Sequence, residues 1–164
     1  MILSALLLAL LLGGLYSFVS LSSANTWLRH TDEVRVKVAL LGATLLDAET
    51  GLRGYLFTGK TSFLAPYDGA REKWRRQLDE VRALTSDNPE QQARLHTLEA
   101  VIAAEFGGFS RERAETEHER AQRTPLPLLL EHKETMDKAR VLLADMESAE
   151  VRLDRARERE ATRR

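Results

Sequence analysis

The 164-residue sequence contains no cysteine, which removes disulfide staples, thiolate metal sites and a cysteine nucleophile from consideration. Glycine and proline are scarce, at 9 and 4, too few for the many turns of a small sheet protein. Charge of one sign is missing as well. The 24 Lys and Arg stand against 25 Asp and Glu, a net charge of −1 with the signs interspersed, so there is no electrostatic footprint for nucleic acid. The first 28 positions carry no charged side chain at all, since Arg29 is the first.

What is present is 43% hydrophobic and 30% charged, the balance of long amphipathic helices, in a length that suits one domain and an anchor. Ile2 to Leu21 is almost wholly apolar and as a helix spans roughly 30 Å, the thickness of a bilayer core. Residues 1–24 are therefore expected to be a transmembrane anchor. A cleaved signal peptide is the alternative, with Ser22 and Ala24 as the small residues before a cut at Asn25. The run is longer than a signal core and lacks a basic leader, which favours the anchor. Arg29, Arg35 and Lys37 follow the run, and the positive-inside rule alone puts the body of the protein in the cytoplasm. Charge thus leaves the orientation open.

Beyond the anchor, Trp27, Thr31, Val34, Val38, Leu41, Leu45, Ala48 and Leu52 step by alternating fours and threes without a breaker. This predicts one helix from the bilayer to about Leu56, stopped by Thr58-Gly59-Lys60-Thr61. A second helix is expected from about Ser62 to Leu84, with Tyr67, Trp74, Leu78 and Val81 inward. Ser86-Asp87-Asn88-Pro89 breaks the chain, with Asn88 capping and Pro89 opening a third helix. That helix carries Leu95, Leu98, Ile102, Phe106 and Phe109, then an exposed stretch from Ser110 to Arg123. It ends at Thr124-Pro125-Leu126-Pro127. The fourth helix places Leu129, Met136, Ala139, Leu143, Met146 and Leu153 at heptad spacing. The fold expected is all-α: an N-terminal transmembrane helix continuing into an antiparallel up-down-up-down four-helix bundle over residues 25–160, with 161–164 a truncated or disordered end.

The densest signal is Asp47-Ala48-Glu49-Thr50-Gly51-Leu52-Arg53-Gly54-Tyr55-Leu56-Phe57-Thr58-Gly59. Gly51 and Gly54 each cost a helix about 1 kcal/mol relative to Ala, so close approach of another element should compensate. Glu49 and Arg53 form an i, i+4 pair. Asp47 is expected beside the apolar seam, where a carboxylate needs a donor. A helix-turn-helix corner stitched by polar contacts is one reading, and a small-molecule contact site is the other.

Trp27, His30-Thr31-Asp32-Glu33-Val34, the segment above, and Phe63-Leu64-Ala65-Pro66-Tyr67 together resemble the third class of CHASE domains, most densely over residues 27–67. The resemblance implies an extracellular four-helix sensor flanked by two membrane spans, with a histidine kinase, cyclase or chemotaxis-type module as output. It singles out Asp47, Glu49, Thr50, Gly51, Arg53, Gly54, Tyr55, Thr58, Gly59, Pro66 and Tyr67 as a ligand-contacting or structural motif. No second apolar span follows the fourth helix in these residues. Instead Arg152 to Arg164 holds six Arg against Asp154, Glu158 and Glu160, and both a removed span and a single-span relative stay open.

Other motifs carry less chemistry. Glu115-Thr116-Glu117-His118 has di-iron spacing but neither a second copy nor inward carboxylates, so no metal is expected. His118-Glu119 with Pro125 places proline seven residues after histidine, roughly 200° round the helix from the five-residue spacing of a phosphoacceptor box. Trp27 and Trp74 read as core before they read as a pocket. No nucleophile with a base partner assembles, and no cofactor is expected. The expected function is the sensory input domain of a membrane-bound receptor, foremost a sensor histidine kinase. It should be non-enzymatic, homodimeric through helix one, held in a bacterial inner membrane through residues 2–21, and exposed to the periplasm or outside, where an unknown small-molecule or protein stimulus acts. A membrane scaffold without ligand sensing and a cytoplasmic coiled-coil tether are the alternatives.

Overall fold

A computed structural model describes residues 2–113 and 126–162, the side chains of 1–9, 16–28, 111–113, 158 and 160–162 excepted. The described residues form helix α1 (Ile2–Thr58), a 3-10 turn (Thr61–Leu64), α2 (Ala65–Leu84), α3 (Pro89–Arg113) and α4 (Leu126–Thr162), with no strand among them. The protein is all-helical.

The 4-3 seam of α1 is buried from Thr31 through Val34, Val38, Leu41, Leu45, Ala48 and Leu52 and gains one further step at Tyr55. That extra step takes the helix past Leu56 to Thr58. Gly59 then adopts φ +67°, and its N–H donates to the Tyr55 carbonyl at 2.7 Å, an αL cap that glycine occupies without steric penalty. The Thr58 hydroxyl donates to the Gly54 carbonyl at 2.6 Å. Downstream, Pro66 lies in the first turn of α2. The Asn88 side chain accepts the Gln91 N–H at 3.2 Å, so Asn88 caps α3 ahead of Pro89 as expected. Leu126 and Pro127, expected to end the third helix, instead open α4, where proline costs little because first-turn N–H groups have no intrahelical partner.

Cross-helix pairs give the directions. Lys37 meets Glu80 at 2.7 Å while Gly51 lies on Tyr67, so α1 and α2 are antiparallel. Arg82 meets Glu99 at 2.6 Å and Tyr67 meets Phe106, so α3 reverses again. Gln91 pairs with Glu150 and Glu105 with His132, while Arg35 pairs with Glu147 and Glu49 with Arg140. Helix α4 therefore runs against both α3 and α1. The core between them holds Val34, Leu41, Trp74, Leu78, Val81, Leu95, Leu98, Phe109 and Met146, each at most 1% exposed. Burying each large apolar side chain contributes about 1.5–3 kcal/mol.

The anchor expected over 2–21 falls largely on side chains outside the described residues. Among the described residues no helix is long and apolar enough to cross a membrane. The side chain of Trp27, the Glu115–His118 motif and most of the Ser110–Arg123 stretch also lie outside them.

Glycine sets the closest approach in the fold. A Cβ on Gly51 would meet the Phe63 carbonyl oxygen at 2.7 Å and the Tyr67 nitrogen at 3.2 Å. Both are backbone atoms that cannot swing away. The nearest atoms to a Cβ on Gly54 are those of the Phe63 ring, a side chain that is 42% exposed and has solvent to swing into by turning about its Cα–Cβ bond. Gly51→Ala is therefore expected to destabilise by about 1–3 kcal/mol despite its better helix propensity. Gly54→Ala should stay within about 1 kcal/mol of wild type. Urea unfolding of the two variants tests this, and equal losses would mean that backbone contact at Gly51 is not the limiting approach.

Candidate functional site

The signature residues divide by the side of α1 they occupy. Gly51 lies under the 3-10 turn, touched by Phe63, Pro66 and Tyr67. Tyr55 and Tyr67 are buried and meet Phe109 from two sides, at ring-centroid distances of 6.0 and 4.5 Å, both edge-on. Phe106 joins Tyr67 at 5.1 Å and stacks on Trp74 at 5.9 Å. Edge-on and offset arrangements are the favourable ones for aromatic rings. Trp74, a core residue in this fold, is fully buried with Arg75 over its ring at 4.4 Å. Thr58 and Gly59 terminate α1, and Pro66 starts α2.

Asp47 and Thr50 behave differently. Both are exposed, and the Thr50 hydroxyl donates back to the Leu46 carbonyl at 2.9 Å. The expectation that Asp47 sits beside the apolar seam is corrected: at 100° per residue it falls on the opposite face of α1 from Val34, Val38 and Leu41. It is hydrated there and needs no protein donor.

Glu49 is the polar centre. It is 3% exposed, not the surface partner of Arg53 that a simple i, i+4 pair implies. Arg140, arriving from α4, donates to its Oε2. Arg53 approaches Oε1 at 2.8 Å, off the hydrogen-bond axis and so as an ionic contact. Arg140 also donates to Asp137 at 2.7 Å. The result is a buried carboxylate held by two half-exposed guanidinium groups, which ties α1 to α4.

A second buried polar pair escaped the sequence reading. Glu105 Oε1 lies 2.7 Å from His132 Nδ1, and the two side chains are 8% and 9% exposed. Phe109 meets the imidazole edge-on at 6.4 Å. The signal was available, because Leu98, Ile102, Glu105 and Phe109 keep 4-3-4 spacing, as do Leu129, His132, Met136 and Ala139 at 3-4-3. A polar residue at a seam position is forced inward and must find a partner there.

Burial pushes the Tyr67 hydroxyl up to about 12, with Arg71 opposing the rise and Glu105 adding to it. Its O–H donates to the Phe106 carbonyl at 3.4 Å. Because the folded value lies above the ordinary value of 10, the associated stability is complete below pH 10 and is lost as pH rises through about 12. Between those values Tyr67→Phe is expected to lose stability less steeply than wild type, read as urea midpoints at half-unit pH steps. Parallel curves would mean that Tyr67 ionises as freely folded as unfolded.

Arg140→Met leaves Glu49 buried with one off-axis partner and is expected to cost about 1–3 kcal/mol. Changing Glu49 and Arg140 together to Met should cost less than the two single changes added, with a coupling of about 1 kcal/mol or more. Strict additivity in denaturant titrations would show that the two side chains act independently.

The comparisons with known proteins follow the same outline. The CHASE3 domain family model matches residues 24–160, which covers the α1 seam, the glycine corner, α2, α3 and nearly all of α4. The crystal structure of the Rhodopseudomonas palustris histidine kinase HK9 sensor domain is similar at 26% identity, covering 81% of this chain and 99% of that one with a TM-score of 0.47. No curated protein matches. The resemblance read from residues 27–67 therefore extends across the whole helical body, and the chain belongs to the CHASE3 domain family, as the sensory input domain of a signal-transduction receptor.

Proposed function

We propose that this input domain works outside the cytoplasm as an up-down-up-down four-helix bundle. In this reading residues 2–21 anchor it, it dimerises with a second copy through α1, and it controls a histidine kinase by small movements of α4 against α1. The observation that carries the reading is the unequal attachment of the helices. The corner of α1, α2 and α3 is closed by a glycine contact and interlocked aromatic rings. Helix α4 presents Met136, Ala139, Met146 and Ala149 to the core, small or flexible side chains that repack with little penalty. Leu142 and Leu143 pack at the edge of that core, and polar ties at Glu49, Glu105, Gln91 and Arg35 hold the helix as well. A stimulus worth a few kcal/mol is enough to shift such an element between two positions.

Two further features support anchoring and pairing. Leu10, Leu11, Leu12 and Leu15 are 59–68% exposed, a leucine surface on several sides of the helix that a bilayer would cover. On the outer face of α1, Val36, Leu40, Leu46 and Phe57 are 48–71% exposed and fall within an arc about 120° wide, opposite the buried seam. Asp47 and Thr50 stand on the same arc.

The chain has no cysteine, so single-cysteine variants report pairing without background. Cross-linking in membranes is expected at Val36→Cys and Leu40→Cys and not at the buried Val38→Cys or Leu41→Cys. An alkaline phosphatase fused after Arg164 should be active, because that enzyme folds only outside the cytoplasm. An inactive fusion would place the bundle on the cytoplasmic side, and absence of cross-links on the outer face would remove the α1 dimer.

A further inference from the structure

Three carboxylates are buried among the described residues: Glu49, Glu105 and Glu150. Glu49 holds two guanidinium groups and Glu105 an imidazole. Glu150, 3% exposed, accepts only the neutral amide of Gln91, at 2.8 Å. Gln91 is itself fully buried and also donates to the Met146 carbonyl at 3.0 Å. Among the described residues Gln91 is the partner shown for the Glu150 carboxylate, while His30 and Arg157, which line the same cavity, have contacts of their own. A buried carboxylate balanced by a neutral amide alone is costly, and its natural complement is a positive charge.

Glu150 also borders open space. It lines an open-sided cavity of about 560 Å³ between α1 at His30, the α2–α3 turn and the last turns of α4. Asp87 and Glu90 stand on one wall and Arg152 and Arg157 on the other. On α4, Arg157 follows Glu150 by seven residues, on the same face and about 10 Å further along. That spacing leaves room for one small molecule whose ammonium end meets a carboxylate and whose anionic end meets a guanidinium, each at hydrogen-bond distance. Among the described lining residues, three carboxylates stand against two guanidinium groups, a surplus of negative charge that disfavours a second anionic group on the ligand.

We propose that this cavity binds a free amino acid with an uncharged or basic side chain, its α-ammonium on Glu150 and its carboxylate at Arg157 and Arg152. The site rests on the sensory reading for its purpose: a molecule bound there touches α1 and α4 together where both leave the bundle. Its chemistry stands apart from that reading, since binding is measured on the chain alone and signalling is not required.

The test is thermal unfolding and titration calorimetry of the full chain in lipid nanodiscs, against the amino acids singly, methylammonium and acetate. At least one uncharged or basic amino acid should raise the melting temperature, and aspartate, glutamate, methylammonium and acetate should do so less or not at all. Glu150→Gln should raise the ligand-free melting temperature, because it removes an unbalanced buried charge, and should weaken amino-acid binding at least tenfold. Arg152→Gln/Arg157→Gln should weaken it comparably, while Glu134→Gln on the outer face of α4 leaves it unchanged. If Glu150→Gln does not fold, the arginine pair alone decides. The proposal is overturned if no amino acid binds, if acetate or methylammonium binds as well as an amino acid, or if binding survives the arginine changes. A lower ligand-free melting temperature for a folded Glu150→Gln also overturns it, since the carboxylate would then be satisfied within the protein.

Discussion

Burial of the single apolar seam of α1 is the constraint on which the other elements depend. From Thr31 to Tyr55 that seam alternates steps of four and three and offers one face along the whole body of the protein. Helices α2 and α4 cover it from two sides, and α3 closes the core by packing on both of them. Because α1 continues without a break into the apolar N-terminal run, the orientation of the core and the orientation of that run are mechanically one quantity. A helix this long is stabilised chiefly by tertiary packing of its seam, with intrinsic propensity secondary.

The fold combines two kinds of contact with different mechanical character. At the corner, Gly51 brings helix and turn backbones together and the aromatic rings of Tyr55, Tyr67, Phe106 and Phe109 interlock. Close-packed contacts of this kind resist displacement in every direction. Along α4, buried ion pairs and hydrogen bonds occupy seam positions that leucine could fill. Such groups add little net stability against a well-packed apolar alternative, but they fix which residues face each other. The register of α4 is therefore set by these polar pairs more than by large apolar side chains.

Much of this was legible in the chain itself. The α1 seam, the Gly59 stop, the Asn88 cap and the inward faces of α2 and α3 are local patterns, and local patterns survive folding. The glycines were legible in kind, since a helical glycine needs a close neighbour. Which neighbour it is, the Phe63 carbonyl, depends on how the chain turns after Gly59. Partners distant in sequence were not legible. Nothing near Glu49 announces Arg140, which is 91 residues away, and the sequence offers Glu49 only its i, i+4 neighbour Arg53. Asp47 was misplaced for a related reason: one residue is 100° on a helix, and adjacency to a seam residue in sequence is not adjacency in space. His132, Glu105, Gln91 and Glu150 sit in heptad register, but a polar residue at a seam position interrupts the apolar pattern instead of extending it.

The two polar ties between α3 and α4 also set a stroke length. Glu105–His132 spans 2.7 Å and Gln91–Glu150 spans 2.8 Å, each joining α3 to α4, and bonds taken as lying across the helix axes set the scale. Sliding α4 lengthwise by about 1.5 Å, the rise of one residue, stretches such a bond only to about 3.1–3.2 Å, still within hydrogen-bond range. Sliding it by a full turn of about 5.4 Å breaks both ties and strands two buried carboxylates. On any lengthwise movement of α4 the ties would thus act as elastic stops, soft for travel of an ångström or so and steep beyond it.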